Sequence, residues 1–149
     1  MQSPRIVVFY LVLILSVVSA LWKGGKPERI GALIILAMAV LQFGFLAVVP
    51  RYYRTVDLVS VLVDTVGLVG FGALAVYAQR VWPIWAASLQ LLSLTSHFSR
   101  GVDANVKPLA YVFMKSGPTF LVVIALLLGT IFHRRRLRAH GADRAWTEW

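Results

Sequence analysis

The chain contains no cysteine, and that single absence removes disulfide scaffolds, cysteine-bearing zinc sites, iron–sulfur clusters and thiol nucleophiles. Acidic residues are nearly as scarce: six Asp and Glu stand against 15 Lys and Arg, a formal net charge of +9. Charged residues of both signs make up 14% of the chain, against about 25% in a soluble domain. Enzyme signatures are missing too, with no H-E-x-x-H, G-x-S-x-G, Walker loop or G-x-G-x-x-G. The run Gly67-Leu68-Val69-Gly70-Phe71-Gly72 has glycines but lies inside an apolar block and matches no phosphate loop. The polar stretches between blocks are too short for a catalytic domain, so no enzymatic activity, cofactor or metal site is expected.

What the chain does have is apolar surface: 59% of its residues are hydrophobic, its mean hydropathy is +0.77, and the apolar residues come in long blocks. A bilayer core about 30 Å thick needs roughly 20 apolar helical residues, because each rises about 1.5 Å and every backbone polar group must be paired internally. Five blocks approach that length, at residues 6–22, 30–49, 58–78, 81–98 and 109–132. The expected fold is an all-α polytopic transmembrane helix bundle of five spans, a single domain over residues 1–149 with a basic tail from 133 to 149. Between the first two spans, Gly24-Gly25 can end one helix and Pro27 sits just inside the next, where its missing N–H costs nothing. Pro83 falls in the first turn of the fourth span. Pro118 interrupts the fifth, yet a helix beginning there would be too short to cross, so one helix with a kink is expected.

Orientation follows from Lys and Arg. Five spans place Lys23, Lys26, Arg29, Arg80, Arg134, Arg135, Arg136, Arg138 and Arg144 on one side, and Arg5, Arg51, Arg54, Arg100 and Lys107 on the other. The first set is larger and includes an arginine run beside a membrane end. The N-terminus is therefore expected outside and the C-terminus in the cytoplasm. Val18-Ser19-Ala20 looks like a signal-peptide cleavage site, but cleavage would put the arginine-rich tail outside, against the same rule. Trp22, Tyr77, Trp82 and Trp85 fall at one expected interface, and Tyr52, Tyr53, Phe98 and Tyr111 at the other, as aromatic anchors. Arg134, Arg135, Arg136 and Arg138 are expected to lie against anionic lipid headgroups, each worth about 1 kcal/mol. The charge sits at membrane ends without a folded basic surface, so nucleic acid is not an expected partner.

Polar residues inside spans carry the most information, since a charge at mid-bilayer costs about 2.5–3.5 kcal/mol on insertion scales. Asp64, Lys115 and Gln42 each fall about 10 Å below the outer boundary, counting about 1.5 Å per residue. Gln90, Ser93 and His97 recur at i, i+3 and i+7 and share one face of the fourth span, the least apolar of the five. One expectation is an outward-facing polar pocket in which Asp64 and Lys115 pair and Gln42, Gln90, Ser93 and His97 complete the lining, suited to a headgroup, quinone, ion or proton. The other is that Asp64 and Lys115 only neutralise each other, bonded to Gln42 and Ser60, and lock helix register. Gly67, Gly70 and Ala73 form a smooth stripe that suits close helix packing or a partner protein.

Two segments, Gly25-Lys26-Pro27-Glu28-Arg29-Ile30-Gly31-Ala32 and Trp82-Pro83-Ile84-Trp85-Ala86-Ala87-Ser88-Leu89-Gln90 through Thr95-Ser96-His97, resemble small polytopic inner-membrane proteins of alphaproteobacterial type. The resemblance implies a bacterial inner-membrane location and carries no known activity. The leading functional expectation is a non-enzymatic structural or accessory component that packs with itself or with a larger membrane complex. The alternative is a small-ligand, ion or proton site around Asp64 and Lys115.

Overall fold

The computed structural model describes residues 4–48, 58–102 and 108–146, with side chains for all of these except 46, 99–102 and 108–116. The described residues form five α-helices: α1 (Pro4–Lys23), α2 (Lys26–Val48), α3 (Leu58–Tyr77), α4 (Trp82–Val102) and α5 (Pro108–His140). Four have stretches long and apolar enough to cross a membrane; α4 has the length, at 21 residues, but not the apolarity. Each helix packs against its chain neighbours, α5 closes back on α1, and α2 also touches α5. The result is a ring of five around a small core that includes Met38, Phe71, Val122 and Leu126.

The punctuation follows the expected chemistry. Gly24 N–H donates to the Ala20 carbonyl at 3.0 Å as α1 ends, and Arg29 N–H donates to the Gly25 carbonyl at 3.0 Å as α2 begins. Pro27 and Pro83 each take the second position of their helix, where no intrahelical donor is needed. Pro118 lies within a helix that runs unbroken for 33 residues. At about 1.5 Å per residue α5 is about 50 Å long, far longer than a bilayer core.

α4 is patterned inside out. Its buried face carries Gln90, Ser93, Ser96 and His97, while Ile84, Trp85, Leu91, Leu92 and Phe98 are exposed. A water-soluble helix would reverse this, because polar groups gain hydration outside. Hydroxyls on the outer face satisfy themselves: Ser88 donates to the Ile84 carbonyl at 2.9 Å and Thr95 to the Leu91 carbonyl at 2.7 Å.

Trp82 departs from the expectation of an interfacial anchor. It is 7% exposed, in contrast to Trp22, Tyr77 and Trp85, which are open at the surface. Gly31 of α2 and Gly129 of α5 make room for its indole, since a Cβ at either position would collide with the ring. Its Nε1–H donates to Glu28 Oε1 at 3.2 Å, which gives a buried indole the partner it needs. Tyr52 and Tyr53, and the side chain of Tyr111, lie outside the described residues.

Beyond α5 the chain turns back. Gly141 adopts φ +69°, a left-handed conformation open to glycine at little cost, and its N–H caps the Leu137 carbonyl at 2.9 Å. The following residues return to the α3–α4 turn, where Gln79 N–H donates to the Ala145 carbonyl at 3.2 Å and Ala78 bridges Trp146.

Candidate functional site

Ser60, Val63, Asp64, Gly67, Phe71 and Leu74 form the buried stripe of α3, spaced by three and four, so Asp64 faces the bundle interior. On α4 the same spacing turns Gln90, Ser93 and His97 inward. The two stripes meet on one atom: Asp64 Oδ2 accepts the Ser93 hydroxyl at 2.7 Å and lies 3.1 Å from His97 Nε2. Ser96 braces this arrangement by donating to the Ser93 carbonyl at 2.6 Å. Asp64, Ser93 and His97 are 7%, 1% and 9% exposed, so the cluster is a shared buried network of the kind that couples helices tightly.

These residue types occur in hydrolytic triads, but the geometry here is different. Serine and histidine both engage the carboxylate, so the imidazole does not take the serine proton, as activation of a nucleophile requires. The arrangement can instead hold a proton between imidazole and carboxylate or fix a polar group nearby.

Beside the network opens a cleft of about 1110 Å³ to which all five helices contribute. Its walls are mostly apolar and include Phe9, Leu13, Met38, Phe120 and Val123. Its polar lining comes from Arg5, Gln42, Ser60, Asp64, Gln90 and His97, joined by Tyr10 and Thr119. Of the residues expected to gather at one level, Asp64, Gln42, Gln90 and His97 line this cleft, and Ser93 anchors Asp64 from behind. Lys115 belongs to α5, but its side chain lies outside the described residues, so its expected pairing with Asp64 does too.

Gln90 has an unfinished set of bonds. Its Nε2 donates weakly to Met38 Sδ at 3.8 Å, and its Oε1 is buried without a partner among the described residues. Gly67 makes this possible: a Cβ there would stand 2.9 Å from Gln90 Cδ and 2.8 Å from Met38 Sδ. Gly70 likewise sits against Ile34, so these two glycines of the α3 stripe are occupied by neighbours in the same chain, whereas Ala73 is exposed.

A second polar cluster, absent from the sequence expectations, forms at the other end of the bundle. Arg80, 7% exposed, donates Nε to Glu28 Oε1 at 3.1 Å, Nη2 to Asp143 Oδ2 at 2.7 Å, and Nη1 to the Arg144 and Gln79 carbonyls at 2.6 and 2.9 Å. Asp143 also meets His133 Nδ1 at 2.6 Å and accepts Arg136 Nε at 3.0 Å. Burial pushes the Asp143 carboxyl up, but the hydrogen bonds from His133 and Arg136 and the charges of Arg80 and Arg136 outweigh it and hold the group below its ordinary value. Arg136 is thus tied to the tail, while Arg135 and Arg138 are exposed and Arg134 is half-buried. The signal that could have found this cluster is charge sign: Glu28 and Asp143 are isolated acids in strongly basic stretches.

No known family model matches the chain, and no curated protein or solved structure is significantly similar to it.

Proposed function

We propose that this protein is a membrane-embedded binder of a lipid-soluble amphiphile, held in the five-helix cleft without chemical turnover. The observation that carries the proposal is the cleft itself: about 1110 Å³ with apolar walls and the Asp64–Ser93–His97 network at its side. Ligand pockets combine these features, a mostly apolar volume for affinity and a few fixed polar groups for orientation. The ligand's chain lies along Phe9, Leu13 and Phe120, and its head reaches the polar groups of α3 and α4. Native mass spectrometry of the protein extracted from its own membranes in mild detergent tests this. A bound lipid-like mass is expected on the wild type and reduced in Ala39→Phe, which narrows the cleft. An unliganded wild type across several mild detergents would overturn the proposal.

The proposal includes five spans in a bacterial inner membrane, N-terminus outside and C-terminus cytoplasmic. Support comes from the apolar outer face of α4 and from the larger set of basic residues on the C-terminal side. A reporter active only outside the membrane, fused after Trp149, is expected to be silent. The accessory-subunit reading has less support, because Gly67 and Gly70 already pack within the chain.

A further inference from the structure

The binding reading leaves the head of the ligand undefined, and the carboxylate of Asp64 constrains it. Asp64 lines the cleft and keeps 9% of its side-chain surface exposed. Its contacts with Ser93 and His97 both fall on Oδ2, and Oδ1 takes no hydrogen bond from the described residues. The fully buried side-chain atoms left without a partner among those residues are Glu28 Oε2 and Gln90 Oε1, so Asp64 Oδ1 retains accessible surface. The space that Asp64 borders is the cleft, which gives a ligand access to this oxygen.

The carboxylate also brings a charge that its neighbours balance poorly. Among the described residues its one ion-pair partner is His97, which offsets the charge only when protonated. Arg5 lines the same cleft, but it is exposed in the first turn of α1, where its field is screened. A charge at membrane depth is costly unless paired, so a cationic head gains both the pairing and a hydrogen bond to an ionised acceptor. An anionic head meets a like charge, and a neutral hydroxyl gains the hydrogen bond alone. We infer, resting on the binding reading, that the ligand is an ammonium-bearing amphiphile whose N–H donates to Asp64 Oδ1 while its apolar body occupies the cleft. Single-chain lipid amines and aminophospholipids share this chemistry.

The experiment titrates the full-length protein in uncharged maltoside micelles with four probes, read by native mass spectrometry: a long-chain primary amine, an aminophospholipid, and the N-acetyl derivative of each. Acetylation keeps the apolar body and removes the cation. At least one parent is expected to bind about tenfold more tightly than its derivative, in line with a hydrogen bond between charged groups, and the parent with the larger preference identifies the source. In Asp64→Asn, of similar volume, parent and derivative are expected to bind alike. Equal binding of parents and derivatives by the wild type overturns the cationic inference and leaves the cleft reading standing. A preference that emerges only in Lys115→Met overturns it in favour of an Asp64–Lys115 pair. A preference that survives Asp64→Asn overturns the role of Asp64. If no probe binds and native membranes yield no lipid-like mass on the protein, both readings fail. The wild-type comparison, corrected for the partition of each probe into protein-free micelles, holds even if Asp64→Asn does not fold.

Discussion

The two ends of this bundle handle buried polarity in opposite ways. At the C-terminal end Glu28, Arg80, Asp143, His133 and Arg136 are knitted together, and the returning tail closes over them. Toward the opposite end, Asp64, Ser93 and His97 form a smaller network bordering a large cleft, and the Gln90 side-chain oxygen is buried without a hydrogen-bond partner among the described residues. Buried charges that saturate one another stabilise geometry and leave little for a ligand to bind. Incomplete bonding beside open volume has the reverse character. Glu28 Oε2 is likewise buried without a partner among the described residues, but its other oxygen takes two donors. The difference separates a structural clasp from a binding site more clearly than residue type does, since acid and histidine occur in both.

If the clasp is structural, its hub has the largest effect. Arg80→Ala leaves Glu28 buried without its cation and takes one of three basic partners from Asp143, and it is expected to cost about 3–5 kcal/mol, measured by reversible unfolding in detergent. The tail should also become sensitive to protease in this variant. A loss below about 1 kcal/mol would show that the clasp is no firmer than an exposed ion pair.

Next comes the packing beneath it. Gly129→Ala places a methyl against the Trp82 ring and is expected to cost about 1–3 kcal/mol through overpacking, visible as a lower melting temperature and a shifted tryptophan emission.

A double-mutant cycle on Asp64→Asn and His97→Ala probes the opposite end. The expected coupling is about 0.5–3 kcal/mol for a contacting pair, with helix content retained. Additive losses would separate the two residues energetically and remove the network from the site.

The pH response sharpens the contrast further. Asp143 has a folded-state carboxyl below its ordinary value of about 4, so its contribution is fully present above that value. It is lost as pH falls through the lowered folded value and protonation frees the tail. Tail proteolysis at graded pH is expected to rise only on the acid side of about 4, and Asp143→Asn should abolish that dependence. Smallest of all is Gly72→Ala, outside both regions with nothing within 4 Å of the new Cβ, expected to shift stability by less than about 1 kcal/mol.

Much of the architecture was legible in the chain because hydropathy acts locally. A run of apolar residues needs a helix of a given length whatever its neighbours do, so the five blocks match the five helices within a few residues at most ends. The exception is α5, which continues to His140 because an arginine-rich turn is as good a helix former as the apolar turns before it. The inward faces of α3 and α4 were legible for the same reason, from spacing alone. Partner choice was not. The contacts of Asp64 with Ser93 and His97 arise because α4 packs closely on α3 and brings its polar stripe to the acid, while the expected pairing with Lys115 lies outside the described residues. Trp82 was expected at the surface because tryptophan often anchors there. Two glycines from different helices, Gly31 and Gly129, open a slot for it instead.

By itself the sequence determined the helices, their apolar character and their punctuation, all properties of contiguous residues. Only the tertiary structure decided that Glu28 meets Arg80, 52 positions away, and that Arg80 meets Asp143, 63 further on. It also decided that Gln90, which lines the cleft, buries its side-chain oxygen without a partner among the described residues. Such pairings depend on which helix faces close the ring, and no local periodicity encodes that when every helix is apolar on the outside.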